Sequence, residues 1–234
     1  MKLLLIFVSL LIVLFIFWRF YFFLRNPNRK IEANENIIYS PADGKIVYVK
    51  FVDDIKKPVF SIKNEREIRL DELMFLGESD ERFTSGWLIG IAMGPLDVHY
   101  NRAPVGGHIR KLGHDFPTGM RRNFNMFPAL QDLFFRAEEP WRDAEYLIYN
   151  ERASYVIENG VRPVFVTQIA DRYVRKILTF KDNCEIAQGA VFGMIRMGSQ
   201  VDLFIPASGG EVRIGVQAGQ KVKAGKSSCA WQIF

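Results

Sequence analysis

The sequence predicts a mainly β fold with a few short helices (α+β), built as a compact barrel or sandwich and preceded by one membrane helix. Three observations carry this prediction. The chain opens on a long apolar run, continues as short alternating segments bounded by Gly, Asn and Asp, and shows little 3.6-residue periodicity. With 234 residues, 49% hydrophobic and 24% charged, it has the composition of a folded protein with room for a sizeable core.

From Leu3 to Trp18 every residue except Ser9 is apolar, and after Arg19 the run resumes as Phe20-Tyr21-Phe22-Phe23-Leu24. Counted through Leu24, this is about the length of roughly 20 residues that a membrane-spanning helix needs. Arg19 can snorkel to the interface, where Trp18 and Tyr21 are also at home. A signal peptide is the rival, but no small-residue cleavage site follows the run. Lys2 alone precedes it, whereas Arg19, Arg25, Arg29 and Lys30 follow. That bias predicts a cell-membrane protein with a single N-terminal anchor and its folded domain in the cytoplasm. Residues 1–24 are read as the anchor. Residues 25–40 are a polar linker broken by Asn26-Pro27-Asn28, and residues 41–234 are the domain. The net charge of +5 suits anionic lipid headgroups. Nucleic acid is excluded as a partner, because no basic stripe interleaves with aromatics.

Within the domain, the Asp43-Gly44 turn feeds an alternating strand from Lys45 to Val52. Further strands are expected at Val59–Ile62, Trp87–Met93, His108–Leu112, Tyr146–Tyr149, Ala153–Glu158 and Val161–Ile169. Asn159-Gly160 between the last two is a hairpin signal. Helices are expected where Ile169, Tyr173, Val174, Ile177 and Leu178 share one face, and at Pro128–Ala137. The C-terminal third returns to short strands with Gly-rich turns, among them "GQKVKAGKS", a turn pair that gives the fold its lipoyl-like β elements.

Several chemical signals fall away on inspection. Cys184 and Cys229 stand alone, without a CxxC or metal spacing, and read as idle thiols in a reducing compartment. "GQKVKAGKS" is not a phosphate loop, because position 220 is Gln and no helix follows. His108 and His114 have the settings of surface or packing residues, and no histidine pair has zinc-site spacing, so no metal is expected. His99 differs, lying in "GPLDVHYNRAP" at the end of a glycine-bounded apolar strand, with Asp97 and Arg102 close by. Asp43 alone is a turn former and Ser199 alone a turn serine before the strand "VDLFIP". The Gly-x-Ser-x-Gly elbow of serine hydrolases is absent around Ser199.

Read together, these segments resemble the phosphatidylserine decarboxylase family in its short form, over nearly the whole chain. "FFLRNPNRKI" is similar to that family's aromatic-Arg-x-Pro segment after the membrane helix, and "SPADGKI" to its Pro-x-Asp-Gly turn. "PLDVHYNRAPVGGHI" resembles its Asp-x-His segment. "YNERASYVIE" carries its Asn-Glu-Arg as Asn150, Glu151 and Arg152. "GMIRMGSQVDLFIP" resembles the self-cleavage strand, and "GQKVKAGKS" the closing turn.

The resemblance implies a pyruvoyl enzyme made from its own backbone, cleaved between Gly198 and Ser199 into residues 1–198 and 199–234. Ser199 would attack the Gly198 carbonyl and, after elimination and hydrolysis, remain as the covalent pyruvoyl cofactor. Glycine at 198 permits a backbone approach that a Cβ would obstruct. His99, oriented by Asp43, is the implied base. The pyruvoyl ketone would take the amine of phosphatidylserine as a Schiff base and act as electron sink, with His99 returning the proton to give phosphatidylethanolamine. The implied partners are the phospholipid substrate, the membrane and the chain's own cleaved C-terminal fragment; a homo-oligomer is compatible with the sequence. Two departures stand out. Gln200 follows the serine where the long form has Ser or Thr, and Arg102 occupies the long form's second histidine position, so both proton transfers fall to His99. Arg102, Arg121 and Arg122 are candidates to grip the lipid phosphate. Two alternatives remain: a non-catalytic membrane-anchored adaptor with a lipoyl-like β-domain, and a pyruvoyl decarboxylase of a soluble amino acid.

Overall fold

The computed structural model describes residues 1–61, 66–77, 83–116, 126, 145–171, 176–196 and 199–233. Helix α1 (Lys2–Phe17) runs directly into a π-helical turn, Trp18–Phe22, and neither buries any residue. Together they span 21 residues, about 30 Å at 1.5 Å per residue, which matches a bilayer's hydrocarbon core. This makes the helix a candidate membrane anchor. The π turn ends where the Phe23 N–H donates to the Trp18 carbonyl, five residues back, at 2.8 Å.

The domain is built on β1 (Ile37–Tyr39), β2 (Gly44–Val52), β3 (Pro58–Ser61), β4 (Glu67–Arg69), β5 (Gly86–Met93), β6 (Tyr100–Arg102) and β7 (Gly107–Asp115). It continues through β8 (Arg152–Glu158), β9 (Val164–Ala170), β10 (Ile177–Thr179), β11 (Cys184–Ile186), β12 (Val191–Ile195) and β13 (Ser199–Pro206). The last strands are β14 (Glu211–Ile214), β15 (Lys221–Val222) and β16 (Ser228–Ile233). Among the described residues two short helices, α2 (Leu70–Met74) and α3 (Tyr146–Tyr149), join them.

Eight strands form one open antiparallel sheet in the order β11-β7-β8-β9-β13-β5-β2-β15. Its central strand β13 is buried at every residue. Because side chains alternate across a strand, Val201, Leu203 and Ile205 enter one core while Phe204 enters another. The first core is closed by the three-stranded sheets β1-β16-β14 and β10-β12-β6, which contribute Ile38, Ala230, Phe192 and Ile177. On the opposite face, the β3–β4 hairpin and both short helices cover the sheet with Phe60, Ile68, Leu73 and Leu147. The predicted α+β, mainly β class is therefore correct, and of barrel and sandwich the sandwich is what forms.

Two local expectations are corrected. Tyr146–Tyr149, expected as a strand, is α3; Tyr146, Leu147 and Ile148 are all buried, and a short apolar run carries no period that separates strand from helix. The expected helix around Ile169–Leu178 is not there at its described ends: Ile169 belongs to β9 and Ile177–Leu178 to β10. Its apparent 3.6 spacing came from the end of one doubly buried strand and the start of the next. Tyr173 and Val174, the Pro128–Ala137 helix and Ile62 lie outside the described residues. The hairpin signal is met: β8 and β9 pair antiparallel up to Ile157↔Val164. Asn159 Oδ1 accepts from the N–H groups of Val161 and Arg162, and Gly160 takes a φ of 79°.

Phe204 packs its ring 5.9 Å from that of Phe165 inside the second core. Phe204→Ala is expected to cost about 3–5 kcal/mol of stability, as other buried Phe→Ala changes do. Thermal unfolding of the solubilised chain would show it as a fall in midpoint of about 10 °C.

Candidate active site

Asp43 sits in the turn that enters β2, where Gly44 is required by close packing: a Cβ there would lie 2.2 Å from the Ala92 carbonyl oxygen of β5. The carboxylate is almost fully buried and fully engaged. Arg29 donates to it in a fork, Nη1 to Oδ1 at 2.6 Å and Nη2 to Oδ2 at 2.7 Å, and the Ala224 N–H adds a bond of 2.8 Å. Arg29 Nη1 also reaches the Ala224 carbonyl at 2.7 Å. The "GQKVKAGKS" turn, with Gly219 and Gly225 at positive φ, thereby serves to hold Asp43.

His99 lies between β5 and β6 and is completely buried. The turn before it is closed by the Gly94 N–H donating to Asp97 Oδ2 at 2.8 Å. His99 Nδ1 is 2.9 Å from the Asp97 carbonyl oxygen, which fixes the proton on Nδ1 and leaves the Nε2 lone pair without a hydrogen-bond partner among the described residues. Burial lowers the imidazole pKa to about 4, and Arg25 pushes the same way. The Asp97 carbonyl and Asp43 oppose them and lose. His99 is a neutral acceptor at pH 7. Asp43, expected to orient His99, acts on it through space, while the hydrogen bond at Nδ1 runs to the Asp97 carbonyl.

Ser199 opens β13 between Met93 of β5 and Ala170 of β9, and is completely buried. Its hydroxyl donates to Met93 Sδ at 3.2 Å, a weak acceptor that does little to hold the proton. Gly198, the other half of the expected scissile bond, lies outside the described residues, as do Arg121 and Arg122. The segment leading to it departs from β12 at Ile195, whose N–H donates to the backbone carbonyl of His99 at 3.2 Å. No hydrogen bond joins the side chains of Ser199 and His99.

Sequence reasoning missed the amides that connect these parts. Asn101 Nδ2 lies 3.8 Å from the same Met93 sulfur, and its Oδ1 accepts from Gln168 Nε2 at 2.6 Å. The only sequence signal was the alternation that puts Asn101 two residues beyond His99. On the other side of β13, Gln200 accepts from the Tyr146 hydroxyl at 2.8 Å and donates to Asp202 at 2.7 Å and Tyr48 at 3.0 Å. Burial pushes the Asp202 carboxyl up to about 7. The Asn-Glu-Arg segment braces the strand beside Ser199: Asn150 Nδ2 donates to the Ala170 carbonyl at 2.9 Å, and the Ala170 N–H to the Glu151 carbonyl at 2.9 Å. His114 binds Glu151 and His108 binds Glu185 and Asn183. Arg102, a candidate phosphate ligand, turns both Nη groups inward, onto the carbonyls of Gly189 and Pro27 and the side chain of Asn26, while its buried Nε has no partner among the described residues.

Comparison with known proteins agrees with this arrangement of motifs. The family described as phosphatidylserine decarboxylase matches residues 16–230. A putative archaetidylserine decarboxylase proenzyme of Methanocaldococcus jannaschii is 35% identical over 211 residues, covering 89% of this chain and 87% of that protein. A phosphatidylserine decarboxylase proenzyme of Cytophaga hutchinsonii is 31% identical, covering 94% of this chain and 80% of its own length. Another, of Chlorobaculum parvum, is 27% identical over 95% and 82%. The chain belongs to the phosphatidylserine decarboxylase family, a family of lyases.

Proposed function

We propose that this chain cleaves itself between Gly198 and Ser199, keeps Ser199 as a pyruvoyl group, and decarboxylates the serine headgroup of phosphatidylserine to give phosphatidylethanolamine. The observation that carries the reading is a buried serine hydroxyl that donates to a thioether, together with a buried imidazole whose Nε2 has no hydrogen-bond partner among the described residues. The relatives' designation as proenzymes supports it.

In maturation, neutral His99 takes the Ser199 proton while Oγ attacks the Gly198 carbonyl carbon, and the peptide shifts to an ester. Elimination frees the Gly198 carboxylate and leaves dehydroalanine, whose hydrolysis releases ammonia. The pyruvoyl ketone supplies an electron sink for the electrons left behind by carbon dioxide. Ser199 fits this origin: cleavage on its N-terminal side leaves it clamped between β5 and β9, so the group would sit on rigid scaffold. In turnover, His99 Nε2 takes a proton from the substrate's ammonium group and returns it to the carbon that loses carbon dioxide. Because burial keeps the ring neutral, that proton must arrive with the substrate.

The anchor would hold the domain at the cytoplasmic face of the cell membrane, where the headgroup is presented. The most similar relatives include one designated for archaetidylserine, which shares the serine phosphodiester and differs in its hydrocarbon. The headgroup chemistry therefore serves both lipids.

Carbon dioxide release from carboxyl-labelled lipid tests the reading. The full chain should release label from phosphatidylserine or archaetidylserine in mixed micelles, and none from free serine; release from free serine alone would overturn it. Ser199→Ala should abolish release, a loss of at least about 10⁴-fold as expected when the nucleophile is removed. His99→Ala should also stop cleavage, seen as a single band on a denaturing gel; normal cleavage would remove His99 from maturation.

A further inference from the structure

The segment from Phe23 to Arg29, "FLRNPNR", joins the anchor to the domain, yet its side chains and carbonyls are spent on the candidate site. Phe23 is completely buried, although no residue of the preceding helix or π turn is. Its ring centroid lies 4.2 Å from that of His99, tilted by 39°. Arg25 donates to the carbonyl of Leu96, in the turn that carries Asp97 and His99. Asn26 and Pro27 accept from Arg102 at 2.8 and 3.2 Å. Arg29 forks onto Asp43.

The π turn explains how a lipid-facing helix can deliver such a residue. Trp18 and Arg19, half-buried one turn before Phe23, mark the side of the helix that meets the domain. A wider turn, with its five-residue hydrogen bond from Phe23 to Trp18, changes the angular position of whatever follows. Phe23 then leaves the lipid side and covers His99.

We propose that this juxtamembrane segment is a wall of the active site, and that Phe23 is a positioning residue that excludes water from the His99 ring and fixes its orientation. The anchor is thus more than a tether, because its exit places the reacting groups at a fixed depth beside the bilayer surface. The inference rests on His99 being the proton carrier proposed above. The charged groups facing His99 are Arg25 from this segment and Asp43 from the turn before β2, with the Asp97 carbonyl on its own loop; dehydration outweighs the last two. Removing the ring that dehydrates His99 should therefore move its titration upward, toward the ordinary 6.5.

The test uses the full chain in lipid nanodiscs. In the Phe23→Ala chain the acid limb of kcat/KM should move up from about 4 toward 6.5, so that activity at pH 5.5 falls about tenfold relative to pH 8. KM should change little, and Phe23→Leu should restore most of the parent profile. An unchanged acid limb would overturn the proposal. So would a rise in kcat/KM at every pH, which would make Phe23 a plug over the site. Should Phe23→Ala fail to mature, histidine NMR titration in the Ser199→Ala background reads His99 directly, with Phe23→Leu as the folded control. A His99 titration at least one unit higher in Phe23→Ala supports the proposal, and coincident curves overturn it. If His99→Ala leaves cleavage and turnover intact, the proton-carrier reading fails instead, while the NMR titration still reports what Phe23 does to the ring.

Discussion

A strand buried on both faces must be covered twice, and β13 imposes that requirement on the whole domain. Its odd residues demand one apolar layer and its even residues another, so the eight-stranded sheet carries sheets on one face and a hairpin with helices on the other. Each Val, Leu, Ile or Phe side chain so buried contributes about 1.5–3 kcal/mol. The same strand begins at Ser199. The residue expected to react is therefore set at the end of a fully buried strand, between two paired neighbours.

That placement reconciles two demands. A backbone bond that is to break needs a hydroxyl free to lose its proton, and Met93 sulfur provides only weak restraint. The fragment that begins there must nevertheless remain in place. Ladder pairing to β5 and β9 holds one side, while Gln200, tied to Tyr146, Tyr48 and Asp202, holds the other face one residue on. A polar cluster buried among Phe60, Leu88 and Phe204 is costly unless satisfied. Here its hydrogen bonds knit β13 to β2 and to α3.

How much of this was legible in the sequence varies with how local each cause is. The N-terminal apolar helix was, because a long apolar run follows from composition alone. β2, β5, β8 and β13 were, because alternation and glycine-bounded turns are local. α3 was not, since four residues cannot display a period, and the misread helix near Ile169 arose from strands that are apolar on both faces. Asp43, His99 and Ser199 were singled out through the resemblance of their motifs. Their partners were invisible, because Arg29, Ala224, Met93, Asn101 and Gln168 meet them only through sheet register and chain crossing. The linker illustrates the limit. Its polar residues and proline gave no hint that Arg29 would close on Asp43, or that residues 37–39 would form a strand against β16.

The central claim is that Ser199 marks a bond the protein breaks in itself. Intact-mass measurement of the purified full-length chain addresses it without reference to substrate. The account predicts two species, residues 1–198 and residues 199–234, with the second blocked at its N-terminus by a pyruvoyl group in place of serine. A single uncleaved chain that still decarboxylates serine phospholipid would contradict it.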